Sequence, residues 1–211
     1  MLEVDQYGSS RRQNYRVIDT EKDVKLFDIR LQNGELVFRN KYGVIIWCIR
    51  YNNTALLINI EDKSKQKAYF EVYHYTNGME ELIAKIDYMP NNSDFLGIKY
   101  KPSDDEEFIY RKNDRMYGIV DSMGEIITLV KRDGKELAHL SINSYDEESI
   151  EKHMVMYLVA DSIWNVHRFE QYKIDYKTNL IKLKPKTPRM FAFKKANKEL
   201  FEGNDERTEG N

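Results

Sequence analysis

Four histidines, one cysteine, two acidic clusters and a basic block are the residues of this 211-residue chain whose types could do chemistry. His74, His139, His153 and His167 are scattered, and the last two lie fourteen positions apart. On a straight helix that is about 21 Å, too far to share one ion. Each reads as a partnered or surface histidine. Asp161 and His167, six apart, do not share a helix face, and no Ser-His-Asp or Cys-His pair stands out. No Gly-x-Ser-x-Gly, phosphate loop, dinucleotide glycine fingerprint or His-Glu-x-x-His occurs. Asp104-Asp105-Glu106-Glu107 lacks the alternating oxygen ligands and central glycine of a calcium loop and reads as a solvated loop. Neither a metal nor a cofactor is expected, and nothing argues for an enzyme.

Charge is the one asymmetry. Overall, 33 basic residues face 35 acidic ones, a formal net charge of −2, which disfavours a whole-surface nucleic-acid binder. Residues 173–198, however, hold nine basic side chains against Asp175, followed by five acids against Arg207 in 199–211. Lys182, Lys184, Lys186, Arg189, Lys194, Lys195 and Lys198, interleaved with Ile181, Leu183, Met190, Phe191 and Phe193, are candidates for binding an anionic surface. A basic amphipathic helix with aromatics suits an anionic bilayer interface, and the same block suits a protein partner. The plain alternative is a solvated hairpin and a docked helix, with the acidic tail folded back.

The elements that position these residues are mostly strands. Residues 1–12, with Gly8-Ser9-Ser10-Arg11-Arg12, read as a disordered arm. Period-2 segments then run to about residue 143: Lys25–Gln32, Glu35–Lys41, Val44–Tyr51, Ala55–Glu61, Lys67–Thr76 and Glu81–Tyr88, with weaker ones at Phe95–Tyr100, Phe108–Arg111 and Tyr117–Asp121, and a last pair, Glu125–Lys131 and Lys135–Ile142. Asn33-Gly34, Asn77-Gly78 and Asp133-Gly134 supply hairpin turns. Nine to eleven strands with hairpin connections and no helical crossovers predict an antiparallel barrel or sandwich.

The periodicity then changes. Asp146 is a fair N-cap with Glu147 and Glu148 in the first turn. Met154-Val155-Met156-Tyr157-Leu158-Val159-Ala160 is apolar on every side of a helix, as a helix buried all round must be. The helix is expected over 147–169; a central strand is the alternative for Met154–Ala160 alone, against which length and the Glu/Lys-rich flanks argue. Gln171–Tyr176 and Leu180–Lys184 form a further hairpin. Thr187-Pro188 then starts a short helix, with Pro at the first helical position, placing Met190, Phe193, Ala196, Leu200 and Phe201 on one face. Lys194, Lys195 and Lys198 lie opposite, and Gly203 is the stop.

Cys48 lies within Val44–Ile49 and reads as a buried structural thiol. A lone cysteine, no signal-peptide pattern and apolar runs far short of about 20 residues point to a cytoplasmic protein without a transmembrane segment.

Many short antiparallel strands followed by a wholly apolar helix resemble the tubby C-terminal-like superfamily, which includes LURP-one-related and scramblase-like proteins. Tyr117–Glu125, with its Asp121-x-x-Gly124 turn, looks like that family's strand–turn–strand unit, Ala138–Asn143 like the strand leading to the helix, and His153–Trp164 like the axial helix. The resemblance implies a β-barrel closed around a central hydrophobic helix. The likeness is close over about a quarter of the chain, and some 40 residues follow a helix that is usually the family's last major element. The phosphoinositide-binding basic residues of tubby have no counterpart here.

The expected architecture is therefore mainly β: an antiparallel barrel over 13–184 around one buried helix, with a C-terminal hairpin, then an amphipathic helix and polar tail over 185–211. Two functions stay open. One is a non-enzymatic binding or scaffold module that engages anionic lipid headgroups or a protein partner through the basic block. The other is a lipocalin-like carrier or enzyme with an open lumen and its helix packed outside.

Overall fold

The computed structural model describes residues 1–7, 14–51, 70–88, 95–100, 106–113, 115–134, 138–164 and 188–203. Twelve strands run in chain order: β1 Leu2–Tyr7, β2 Asn14–Asp19, β3 Val24–Gln32, β4 Glu35–Arg39, β5 Ile45–Tyr51, β6 Phe70–Thr76, β7 Met79–Tyr88, β8 Phe95–Tyr100, β9 Glu106–Asn113, β10 Met116–Val120, β11 Ile126–Asp133 and β12 His139–Ser144. Each pairs antiparallel with its sequence neighbours, and β1 also pairs with β12, so the sheet closes into a barrel without an edge. Among the described residues two helices follow, α1 Ile150–Trp164 and α2 Met190–Asn197, the latter continued by a π-type turn over Lys198–Glu202.

The turns work as their residues dictate. Asn33 and Gly34 both have positive φ (51° and 83°), as do Asn77 and Gly78 (53° and 78°), the condition of a type I′ hairpin. Between β10 and β11, the Asp121 carboxylate accepts from the backbone N–H of Met123 at 2.9 Å and of Glu125 at 3.0 Å. Gly124 closes that turn at φ 85°.

The expected disordered arm is corrected over Leu2–Tyr7, which is the strand that closes the barrel. Its register sets Leu2 against Ile142 and Val4 against Leu140, and both side chains are buried. His139 Nδ1 lies 2.7 Å from Asp5 across the same seam. Two aliphatic residues in six, Leu2 and Val4, are too few to announce a strand, because the partner that makes their alternation meaningful is about 140 residues away. The Asn14–Asp19 strand, also outside the expected set, carries its pattern in Tyr15 and Val17 alone. The expected strand Ala55–Glu61 and the hairpin over 171–184 lie outside the described residues.

One hydrophobic cluster takes a residue from each of the twelve strands, among them Val4, Val17, Ile29, Phe38, Ile49 and Val72 on the first six and Ile86, Ile98, Ile109, Ile119, Val130 and Ile142 on the rest. The same cluster contains all of Met154–Ala160, none of which is more than 1% exposed. The helix starts three residues later than expected. Asp146 caps the turn that leads into it, accepting from the N–H groups of Glu148 (3.1 Å) and Ser149 (3.4 Å). A side-chain hydrogen bond from Ser149 is the main reason its carboxyl is held below the ordinary value, with the two N–H groups adding to it.

Asp161, His153 and Lys152 of α1 meet strand residues. Asp161, fully buried, lies 2.9 Å from the Arg132 guanidinium of β11. It also accepts from the hydroxyls of Tyr15 on β2 (3.3 Å) and Tyr157 (3.4 Å). Burial pulls the Arg132 pKa down, but the Asp161 charge together with Tyr157, Tyr117 and Tyr15 offsets this and it ends raised. At the other end, the Lys152 ammonium sits 3.5 Å from the centroid of the Tyr100 ring. No described helix is long and apolar enough to cross a membrane.

A buried pair costs most when only one partner goes, since the other is then an uncompensated charge. Arg132→Met is therefore expected to lower stability by about 3–5 kcal/mol, and adding Asp161→Leu to recover most of it, as read from urea midpoints. Equal loss in the single and double variants would contradict the pairing.

Candidate anion-binding site

The second helix is held on the outside of the barrel. Phe193, Ala196 and Leu200 pack against Phe108, Tyr110, Val120, Ile126 and Leu129 on the outward face of β9–β11. Gly118 makes this possible: a Cβ there would lie 3.0 and 3.1 Å from two carbons of the Phe193 ring. Asn143 donates to the Leu200 carbonyl and Tyr145 to Glu199, fixing the far end. Gly203 ends the segment, its N–H donating to the Lys198 carbonyl at 2.8 Å.

Two details differ from expectation. Pro188 is not the first helical residue; Arg189 follows it in extended conformation (φ −68°, ψ 151°) as the N-cap, and the helix starts at Met190. Nor does Met190 join the docked face: at about 100° per residue it falls a quarter-turn from the Phe193–Ala196–Leu200 arc and is exposed. The face opposite the lysines is thus consumed by the barrel, so the helix cannot offer it to a bilayer.

Where α2 runs beside β9–β11 a groove of about 550 Å³ remains. From the strands come Lys112, Met116 and Lys131, from the β9–β10 turn Arg115, and from the helix and its π-type turn Lys194, Asn197, Lys198 and Glu202; Arg132 and Asp133 border it. Arg132 is committed to Asp161. Among the described residues, no carboxylate pairs with Lys112, Arg115, Lys131, Lys194 or Lys198. Lys112 and Lys131 instead lie over the rings of Phe193 (5.9 Å) and Phe201 (4.4 Å), which hold their stems along the docked helix. Like charges gathered this way are costly unless an anion joins them. Lysines act as point charges and Arg115 as a planar fork, a set suited to phosphate oxygens.

Of the candidate residues read from the sequence, Lys194 and Lys198 line the groove. Lys195 turns away, pairing with Glu199 at 3.8 Å, and Arg189 stands at the helix start. Lys182, Lys184 and Lys186 lie outside the described residues. Lys112, Arg115 and Lys131 escape sequence reasoning, because outward-facing strand lysines and a turn arginine carry no sign of which helix will lie beside them.

A second arrangement was also unforeseen. Thr128 Oγ1 lies 2.6 Å from His153 Nδ1, and His153 Nε2 lies 2.9 Å from Glu107 Oε2. This hydroxyl–imidazole–carboxylate order is that of an activated nucleophile, here with Thr and Glu in place of the Ser-His-Asp or Cys-His sets sought in the sequence. Its setting is different from a reactive one. Thr128 and His153 are fully buried, Thr128 is also bound to Ser144 at 2.6 Å, and Glu107 accepts from Tyr100 at 3.2 Å. The network ties α1 to β8, β9, β11 and β12. Cys48 is likewise buried, and burial pushes its thiol up to about 12, the state of an inert structural cysteine. Among the described residues no group of His, Cys, Asp or Glu could hold a metal ion.

No family model, curated protein or solved structure matches this chain.

Gly118→Val is expected to lift Phe193 and undock α2. The measurement is limited trypsin digestion, with cleavage after Lys194, Lys195 or Lys198 accelerated at least several-fold while the urea midpoint of the barrel stays within about 1 kcal/mol. An unchanged digestion pattern would show that the ring does not rest on that glycine.

Proposed function

We propose that this protein is a non-enzymatic binding module: a barrel whose lumen is filled by α1 and whose outer groove, between α2 and β9–β11, takes an anionic group presented by a partner. The observation that carries the reading is the set of five cations around that groove with no pairing carboxylate among the described residues. In a chain of net charge −2, such a concentration is local and not compositional.

The filled lumen is supported by the packing of α1. A carrier of lipocalin type needs a wet side on the helix or free space beside it, and Met154–Ala160 has no wet side. Its anchors come from β2, β8, β9 and β11, strands spread around the barrel wall. Strand closure, then an apolar helix, is also the order that the likeness to the tubby C-terminal-like superfamily implies. A lone cysteine, with no partner for an intrachain disulfide, fits a reducing, cytoplasmic setting.

Inorganic pyrophosphate is the probe. Titrated into ¹⁵N-labelled protein at low salt, it is expected to shift the amides around Lys112, Arg115, Lys194 and Lys198, with an affinity that falls as salt rises. Lys194→Glu with Lys198→Glu, both on the exposed side of α2, should weaken it about tenfold, roughly 1.4 kcal/mol. Equal affinity in that variant, or shifts confined to other surfaces, would remove the groove from the account.

A further inference from the structure

The wet side of α2 is not uniformly basic. Around the helix, Met190, Lys194, Lys198, Phe191 and Lys195 occupy one arc of about 140°, opposite the docked Phe193, Ala196 and Leu200. The apolar members sit together at its N-terminal end. Met190 is 67% exposed and Phe191 73%. Beside them the β10–β11 turn carries Met123, 71% exposed. Met123, Phe191 and Ala192 line a shallow depression of about 410 Å³, with Arg189 and Lys195 at its margin and Glu125 as its one carboxylate. Along the helix axis the surface therefore passes, within about 12 Å, from a tip of large apolar side chains to the lysines of the groove.

We propose that this tip and groove form one membrane-docking face, with Met123, Met190 and Phe191 inserting at the headgroup–acyl boundary of an anionic bilayer while Lys194, Lys198 and the strand cations meet lipid phosphates. The inference rests on the anion-binding reading of the groove and names where the anion resides.

Charge complementarity selects the occupant. Protein interfaces are depleted in lysine, and here lysine supplies most of the charge, on flexible stems that reach a fluid array of phosphates better than a fixed counter-surface. Three apolar side chains at a turn and a helix start form a wedge, not the broad flat patch that a protein partner buries. Binding by shallow insertion plus basic residues is the pattern of interfacial association, in which neither part suffices alone.

The test compares sedimentation with phosphatidylcholine vesicles and with vesicles also containing phosphatidylserine, alongside the pyrophosphate titration. The wild-type protein is expected to bind the anionic vesicles at least tenfold better than the neutral ones. Met190→Ser with Phe191→Ser should lose at least tenfold of that binding while keeping its pyrophosphate affinity and urea midpoint. Lys194→Glu with Lys198→Glu should lose both vesicle and pyrophosphate binding. Wild-type protein that binds pyrophosphate but ignores anionic vesicles overturns the membrane assignment, leaves the groove standing and turns the face toward a protein partner. Vesicle binding that survives the serine variant overturns the role of the wedge. Absence of both pyrophosphate and vesicle binding overturns the groove, and the docking face with it.

Discussion

A helix with no wet side is the constraint on which the rest of this structure depends. Seven consecutive apolar residues, Met154–Ala160, offer nothing to water in any direction, and such a helix is stable only where other apolar surface meets it on all sides. A residue from every strand joins it in one cluster, so the sheet and the helix each supply the surface the other must cover. Polar groups brought along by the same segment then demand partners. Asp161 receives Arg132 and two tyrosine hydroxyls; His153 receives Thr128 and Glu107. Those bonds also fix the helix in depth and rotation, which dispersion contacts alone do poorly.

Barrel closure follows the same logic. An open sheet would leave β2 and β12 with unpaired backbone groups. Leu2–Tyr7 removes them by pairing with each strand. On the outside of the same barrel a second helix is seated. There a glycine on β10 admits the Phe193 ring, the ring seats α2, and the helix places its lysines beside those of the strands. The groove is a product of docking and exists in neither element alone.

Local chemistry was legible where it acts over a few residues. Asn33-Gly34 and Asn77-Gly78 declare their turns because few other pairs tolerate two positive φ angles, and Asp121 with Gly124 fixes the β10–β11 connection by short-range bonds. The apolar run of α1 declares burial because no face of it alternates. Long-range facts were not legible. Leu2 and Val4 acquire meaning only from Leu140 and Ile142, and Thr128, His153 and Glu107 meet only after the barrel closes. Two of the groove's five cations, Lys194 and Lys198, were visible in the basic block near the end of the chain, while Lys112 and Lys131 looked like ordinary outward strand positions and Arg115 like an ordinary turn residue. Met190 was assigned to the wrong face because a helix pattern read from one end does not say where its supporting strands stop.

The most direct test of the enclosed helix is thiol accessibility in a Cys48→Ala background. Single substitutions Val155→Cys, Met156→Cys, Leu158→Cys and Ala160→Cys sample the circumference of α1 at about 100° per residue. The account predicts that all four stay unreactive toward a small maleimide under native conditions, labelling only at the rate of global unfolding. Rapid labelling of any one in the folded protein would reveal a wet side, an open lumen, and a barrel built for something other than holding its own helix.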